Sequence, residues 1–237
     1  MVILAVETSA DLCSLAVRDE SGTLVERAFR HRMHLLERLI GDVDALLADA
    51  GTTLTQIEGL AVGLGPGSFT GVRVGVMAVK TWAATLQKPV CGVSALEAVA
   101  QEYAAVSECR IVPVIRARPG TLYTQLFERE AGRLQAQSEP QTLSVPQLIT
   151  MLSAQRERRC LLCGDGLMRD AETLQAGLGA AGVSATLGRA EAPRASVIAA
   201  MAAARLRDGQ RDDPLSLTPV YLAPPPIGGP KGEKRQR

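Results

Sequence analysis

Two short segments of the chain combine residue types that can do chemistry. The first, Glu7-Thr8-Ser9, places a carboxylate and two hydroxyls directly after an apolar strand pattern. At the edge of a cleft such a trio can hold a metal-bound water and a terminal phosphate. A polar turn with a solvated glutamate has the same composition, so both interpretations stay open at this point.

The second segment is a glycine-dense turn between Gly63 and Gly75, with the sequence GLGPGSFTGVRVG. Glycine permits positive φ angles and lets the main chain approach a ligand or another backbone closely. Ser68 or Thr70 can cap the helix predicted next, and the N–H groups of a helix start can bind an anion. The turn lacks the Gly-Lys-Ser/Thr ending of a P-loop and the spacing of a dinucleotide fingerprint. It therefore predicts either a purely structural turn or a phosphate cradle.

Together the two segments supply the candidate nucleotide-binding residues Glu7, Thr8, Ser9, Gly65, Gly67 and Ser68. Other reactive side chains are sparse, since His31 and His34 are the only histidines and no neighbouring ligand completes a zinc site. Cys160 and Cys163 have the spacing of a redox dithiol, but their apolar strand pattern favours core cysteines. No motif supports a Ser-His-Asp arrangement. The sequence thus predicts neither catalytic residues nor a metal site.

Two predicted helices have the features of an interface. The segment 34–50 is amphipathic, and a helix over 70–86 carries Gly71, Gly75 and Ala78 on one nearly bare stripe. Glycine costs about 1 kcal/mol relative to alanine in a helix interior, which is best tolerated where another element must come close. That element is either the chain's own sheet or a second subunit. In the second case the predicted interface residues are Leu36, Ile40, Val43, Gly71, Val72, Gly75, Ala78 and Val79.

The composition suits a globular protein of one large or two small domains, with 237 residues, 46% hydrophobic and 22% charged. A formal net charge of +1 argues against a broad nucleic-acid footprint. Five scattered cysteines, without a signal peptide or a long apolar segment, favour the cytoplasm and no membrane partner. The predicted order β-β-β-α-β-α-β-α partly restarts after residue 107. We expect domains over 1–107 and 108–223, then a disordered basic tail over 224–237.

The chain resembles the TsaB family, also called YeaZ, over nearly everything up to Leu222. The resemblance rests on the N-terminal ILAVETS, the leucine-bearing helix that begins at His34, the block GPGSFTGVRVG, the segment GVSAL and the late PVYL. It implies an α/β fold of two domains, as in actin-like and Hsp70-like ATPases (the ASKHA fold), each domain a mixed sheet flanked by helices.

The resemblance also implies a function. The family member would be a non-catalytic accessory subunit for threonylcarbamoyl transfer to N6 of adenosine 37 in tRNAs that read codons beginning with adenine. It would bind and activate the catalytic subunit TsaD, with the ATPase TsaE joining the complex, and would form a homodimer when alone. The chain itself would require no cofactor, with a place for ATP or ADP and Mg at the complex interface, and tRNA would be met through the complex. The alternative is a free-standing ATPase, kinase or metal-dependent peptidase of the same fold.

The sequence departs from the family pattern at two places. Glu7 stands where the family usually has Asp, which lengthens the side chain by one methylene. Arg116-Ala117-Arg118 stands where the family has Asp-Ala-Arg, and a second acid before Tyr123 is missing too. These departures bear on any phosphate or magnesium role of the first strand and on the surface of the later hairpin.

Overall fold

The first strand of the chain is buried on both faces. Ile3 and Ala5 point to one side of its sheet and Leu4 and Val6 to the other, because side chains alternate along a strand. All four are fully buried. A strand with this pattern lies at the centre of a sheet that is covered on both sides.

The computed structural model describes residues 1–22, 24–30, 35–105, 108–155 and 158–222. The histidines at positions 31 and 34 and the tail predicted over 224–237 lie outside these residues. None of the described helices is long and apolar enough to cross a membrane.

Five strands form the first sheet: β1 (Ile3–Glu7), β2 (Leu12–Arg18), β3 (Leu24–Arg30), β4 (Gly59–Gly63) and β5 (Val90–Val93). Their order is β3-β2-β1-β4-β5. The first three strands are antiparallel to one another, whereas β4 and β5 continue the sheet in parallel with β1.

Three helices belong to this half of the chain: α1 (Leu35–Asp49), α2 (Phe69–Leu86) and α3 (Ala95–Gln101). Helices α1 and α2 cover the face that carries Leu4 and Val6, and they bury Leu39, Leu46 and Val76 there. Helix α3 begins at its N-cap Ser94, whose side chain accepts a hydrogen bond from the Glu97 N–H.

Seven strands form the second sheet: β6 (Arg110–Arg116), β7 (Thr121–Thr124), β8 (Phe127–Glu130), β9 (Arg133–Ala136), β10 (Gln141–Ser144), β11 (Cys160–Cys163) and β12 (Ala185–Leu187). The main path runs β10-β7-β6-β11-β12, and β8 and β9 form a hairpin beside β6. Three further helices follow in the chain: α4 (Val145–Ser153), α5 (Leu167–Ala180) and α6 (Ala195–Arg207).

The two sheets share one plan. In each, three antiparallel strands are followed by two parallel ones, so that β10-β7-β6-β11-β12 repeats the pattern of β3-β2-β1-β4-β5. Helices α4 and α5 cover one face of the second sheet, as α1 and α2 cover the first. The predicted fold class is confirmed, with two mixed sheets flanked by helices.

The course of α6 corrects the domain boundaries expected from the sequence. The predicted second domain, residues 108–223, includes this helix, but α6 packs on the first sheet, against the face of Ile3 and Ala5. Leu217, further along, enters the core of the same unit. The reason is steric, because the small buried side chains of α6 let the helix lie close to a sheet face that is itself lined by small residues.

A substitution on the buried face of α6 tests this assignment. Ala199 is fully buried, so Ala199→Leu should overpack the contact and lower the free energy of unfolding by about 1–3 kcal/mol. Ala204→Leu, on the exposed side of the same helix, should change it by less than about 0.5 kcal/mol. Urea unfolding of both variants gives the comparison, and equal small effects would contradict the packing described.

Candidate functional site

The carboxylate of Glu7 lies beneath the surface rather than in a cleft. The residue is fully buried, and its Oε1 accepts a short hydrogen bond from the backbone N–H of Ser9. Its Oε2 has no hydrogen-bond partner and lies so close to Gly63 that a Cβ there would overlap it. Burial raises the pKa of Glu7 to about 7, although the nearby Ser9 lowers it in part. The structure thus encloses the Glu7 carboxylate within the chain, and its phosphate- or metal-binding role stays a prediction.

Thr8 and Ser9 form the turn after β1, and the start of α2 lies directly against them. The Thr8 hydroxyl donates to the carbonyl of Gly71 at 2.8 Å, and the Ser68 N–H donates to the carbonyl of Ser9 at 2.6 Å. A Cβ at Gly67 would overlap the Ser9 carbonyl oxygen. The close approach that the glycines predict is thus an approach to the chain's own backbone.

The glycine stripe of α2 faces the same turn. A Cβ at Gly71 would overlap the Thr8 carbonyl oxygen, and one at Gly75 would overlap the Thr8 hydroxyl. Of the two interpretations of this stripe, packing on the chain's own sheet is the correct one. Five of the predicted interface residues are buried within this chain, and a subunit-interface role for them stays a prediction: Val43, Gly71, Val72, Gly75 and Val79.

Three predicted interface residues do reach the surface of α1 and α2. Leu36 and Ile40 lie one turn apart on α1 and are 51% and 52% exposed, and Ala78 of α2 is half-buried. Met77, beside Ala78, is 60% exposed and was not predicted. The helical spacing of Leu36 and Ile40 predicts that they share one face of α1. Met77 lies outside the Gly71-Gly75-Ala78 stripe, so the stripe does not predict its exposure. We call the group of Leu36, Ile40, Met77 and Ala78 the helical apolar face.

A cavity of about 540 Å³ lies between the two sheets. Among the candidate nucleotide-binding residues, Ser9, Gly67 and Ser68 line it, but Glu7, Thr8 and Gly65 do not. The carbonyl of Gly65 instead accepts a hydrogen bond from the Ala95 N–H at 2.8 Å, which ties the glycine turn to α3. The other lining residues are Ala10, Asp11, Phe69, Ile115, Arg116, Ala117, Arg118, Pro119, Tyr123, Asp165, Arg169, Val220, Tyr221 and Leu222.

Arg116 bridges the cavity from the second sheet to the first. Its Nη2 lies 2.8 Å from Asp11 Oδ2, in the turn after β1, and its Nε lies 3.1 Å from Asp165 Oδ2. The Arg116 N–H also donates to Asp165 Oδ1 at 2.9 Å. The residue that replaces the family's aspartate is thus a tie between the two units, and sequence reasoning missed both of its acidic partners because they are distant in the chain.

The last described residues run over the glycine turn. The Val220 N–H donates to the Leu64 carbonyl at 2.8 Å, and the Tyr221 ring packs on Phe69 with centroids 5.1 Å apart. Lys80 holds the preceding segment by donating to the carbonyls of Leu215 and Leu217. The late PVYL segment is therefore structural and borders the cavity.

The donors around the cavity do not fit a magnesium-bound nucleotide. Glu7 is enclosed, and Asp11 and Asp165 are both paired with Arg116. No group of three His, Cys, Asp or Glu side chains that could hold a metal ion occurs among the residues that the structure describes. Cys160 and Cys163 are buried in β11, and burial raises the pKa of both thiols, that of Cys160 to about 11.

The site lies between two mixed sheets that share one strand plan. The family model described as "TsaD: tRNA N6-adenosine threonylcarbamoyltransferase" matches residues 26–213. The chain belongs to this family, and within it to the TsaB (YeaZ) group that the sequence resembles.

Relatives in that group match over different lengths. The tRNA threonylcarbamoyladenosine biosynthesis protein TsaB of Escherichia coli K12 is 32% identical over 150 residues, which span 63% of this chain and 64% of that protein. TsaB of Bacillus subtilis 168 is 29% identical over 222 residues, 94% of each chain. The structure of YeaZ from Pseudomonas aeruginosa is 26% identical, with a TM-score of 0.74, and the match covers 93% of this chain and 99% of that one.

The raised pKa of Glu7 predicts that the free energy of unfolding depends on pH. Its pKa is about 7 in the folded chain and near 4.5 when unfolded, so between these values the folded state binds more protons and stability falls as pH rises. From about pH 5 to pH 8 the wild type should lose about 2 kcal/mol relative to Glu7→Gln, which stays neutral. Urea unfolding at several pH values measures the difference, and parallel curves for the two proteins would refute it.

Proposed function

We propose that this chain is the accessory subunit that supports threonylcarbamoyl transfer to N6 of adenosine 37 in tRNAs reading codons that begin with adenine. It acts by binding the catalytic subunit TsaD, and the reaction itself takes place on that partner. The observation that carries the proposal is the helical apolar face, where Leu36, Ile40 and Met77 are each at least half exposed. The acids that line the cavity, Asp11 and Asp165, are both paired with Arg116.

The arrangement of α1 and α2 supports a protein partner. An interface centre is depleted in charge and rich in apolar side chains, and Met adapts well to a partner surface. Three large apolar side chains on two neighbouring helices fit that description. The names of the E. coli and B. subtilis relatives, which refer to threonylcarbamoyladenosine biosynthesis in tRNA, support the pathway.

The remaining partners follow from the same proposal. TsaE joins the assembled complex, tRNA is met through the complex, and the chain forms a homodimer through the helical apolar face when TsaD is absent. The chain needs no cofactor of its own, and ATP or ADP with Mg binds where the subunits meet. The site of action is the cytoplasm, where the tRNA substrate is found.

Reconstitution tests the proposal directly. Unmodified tRNA, the donor threonylcarbamoyl-adenylate, TsaD and TsaE are incubated with and without this chain, and threonylcarbamoyladenosine is quantified by nucleoside mass spectrometry. We expect product only when the chain is present. Equal product without it would overturn the accessory role, and a reaction that needs the chain but not TsaD would place catalysis in the chain itself.

The proposed interface can be tested with charge at two exposed positions. Ile40→Glu and Met77→Glu should each weaken binding to TsaD by about tenfold or more, because a carboxylate would be desolvated in an apolar contact. Met168→Glu is the matched control, since Met168 is 68% exposed on α5 of the second unit. Size-exclusion chromatography and titration calorimetry give the affinities. Equal binding by all three variants would refute this interface, and circular dichroism establishes that each variant is folded.

A free-standing enzyme of the same fold is the second candidate. It is favoured by the 540 Å³ cavity between the sheets and by a P. aeruginosa structure, 26% identical, that is described as similar to peptidase YEAZ. Nucleotide hydrolysis by the purified chain with Mg²⁺, lost in Arg116→Ala but kept in Glu7→Gln, would favour this candidate over the accessory role.

A further inference from the structure

A groove on the second unit carries four arginines and lies away from the cavity between the sheets. Arg110 opens β6, and Arg158 and Arg159 directly precede β11, whereas Arg116, at the other end of β6, faces the cavity. Arg129 of β8 lines the groove too. The volume of the groove is about 600 Å³, and we call it the arginine groove.

One carboxylate holds two of these arginines in place. Arg110 is only 9% exposed, and its Nε and Nη2 donate to Glu128 Oε1 at 2.8 and 2.7 Å, while its Nη1 contacts Gln155. The other oxygen of Glu128 accepts from Arg158 Nη1 at 2.5 Å. A single negative charge thus orders two guanidinium groups and neutralises only one of them.

The other two arginines add to this surplus of positive charge. Arg129 and Arg159 are exposed, and neither lies in an ion pair with a carboxylate among the described residues. Glu108 is the one further acid of the described chain that lines the groove. The groove therefore carries two more positive than negative charges, in a chain whose formal net charge is +1.

Charge is also distributed unevenly along the sequence, with an excess of acidic residues in the first part and of basic residues in the part that carries the groove. Residues 1–105 contain 8 basic and 12 acidic residues, whereas residues 106–194 contain 11 basic and 9 acidic ones. Residues 195–222, which pack on the first unit, contain 3 of each. The acidic half of the chain carries the helical apolar face, and the basic half carries the arginine groove. A polyanion is accordingly attracted to the second unit and repelled by the first.

We infer that the arginine groove binds phosphate groups of an RNA backbone, which gives this subunit a direct contact with the tRNA of the proposed function. Guanidinium groups match phosphate geometry with paired N–H donors, and those ordered by Glu128 lose little freedom on binding. No aromatic side chain lines the groove, so bases have no stacking platform there. The contact positions the RNA without reading its sequence.

Charge reversal at Arg129 and Arg159, the two exposed arginines with no ion pair among the described residues, tests the inference. Fluorescence anisotropy measures the affinity of labelled, unmodified tRNA for the full chain assembled with TsaD. Arg129→Glu/Arg159→Glu should weaken binding by about tenfold near 0.1 M salt and lower the slope of log affinity against log salt by about 2. The conservative variant Arg129→Lys/Arg159→Lys keeps both cations and should retain most of that slope.

The matched control makes the same change in net charge elsewhere. Arg207→Glu/Arg211→Glu alters exposed positions at and just beyond the end of α6, which packs on the first sheet, and should leave tRNA binding within about twofold of the wild type. If Arg129→Glu/Arg159→Glu and the control weaken tRNA binding equally, or if neither weakens it, the groove is not an RNA site. Loss of assembly with TsaD in Arg129→Glu/Arg159→Glu would also overturn the inference, because the groove would then face an acidic protein surface.

The inference rests on the proposed function, but the two can fail separately. The anisotropy measurement needs no modification chemistry. If the wild-type chain gives no stimulation in the reconstitution while charge reversal still weakens tRNA binding, the accessory role fails and the groove stands. If stimulation is intact and tRNA binding is unaffected by charge reversal, the groove alone fails.

Discussion

The packing of the β1–β2 turn against the glycine side of α2 is the contact on which the rest of the first unit depends. Thr8 and Ser9 present backbone carbonyls to the helix start, and a Cβ at Gly71 or Gly67 would overlap them. A Cβ at Gly75 would overlap the Thr8 hydroxyl. The contact includes two hydrogen bonds, from the Thr8 hydroxyl to the Gly71 carbonyl and from the Ser68 N–H to the Ser9 carbonyl. The acid at the end of β1, Glu7, is fully buried beside this turn, and burial raises its pKa to about 7. The features that suggest phosphate chemistry in sequence therefore serve packing here.

The two units are joined by elements that belong to one half of the chain and contact the other. Helix α3 follows β5 of the first sheet but buries Leu96 and Val99 against the second, next to Ile115. Helix α6 follows the second sheet and covers the first. Arg116 adds an ionic tie at the edge of the cavity, between Asp11 and Asp165. The two units are thus joined by apolar packing and by the ion pairs of Arg116.

The sequence predicts helices and strands well where the hydrophobic pattern of the segment itself is clear. It predicts them poorly where pairing with distant strands determines the structure. Strands such as β1 are continuous apolar runs, and α1 has clear helical periodicity, so the element order predicted for the first half of the chain agrees with the structure. The attachment of α6 to the first sheet has no such local signal. Strands β10 and β12 are three or four residues long and lie at the edges of the second sheet, so a local pattern predicts them poorly. At the site, the glycines indicated close approach correctly, but no local pattern says whether a ligand, a subunit or the same chain approaches.

Burial of the glycine stripe also decides which surface of α2 is available to a partner. A helix has one face for its sheet, and Gly71, Gly75 and Val79 use it. Met77 is exposed on α2 and Ala78 is half-buried, and Leu36 and Ile40 are exposed on α1. The residues of α2 that pack within the chain are therefore different from the apolar residue of α2 that reaches solvent. The arginine groove lies on the other unit and in the basic half of the chain, so a protein partner and a polyanion can be held at the same time without competing for one surface.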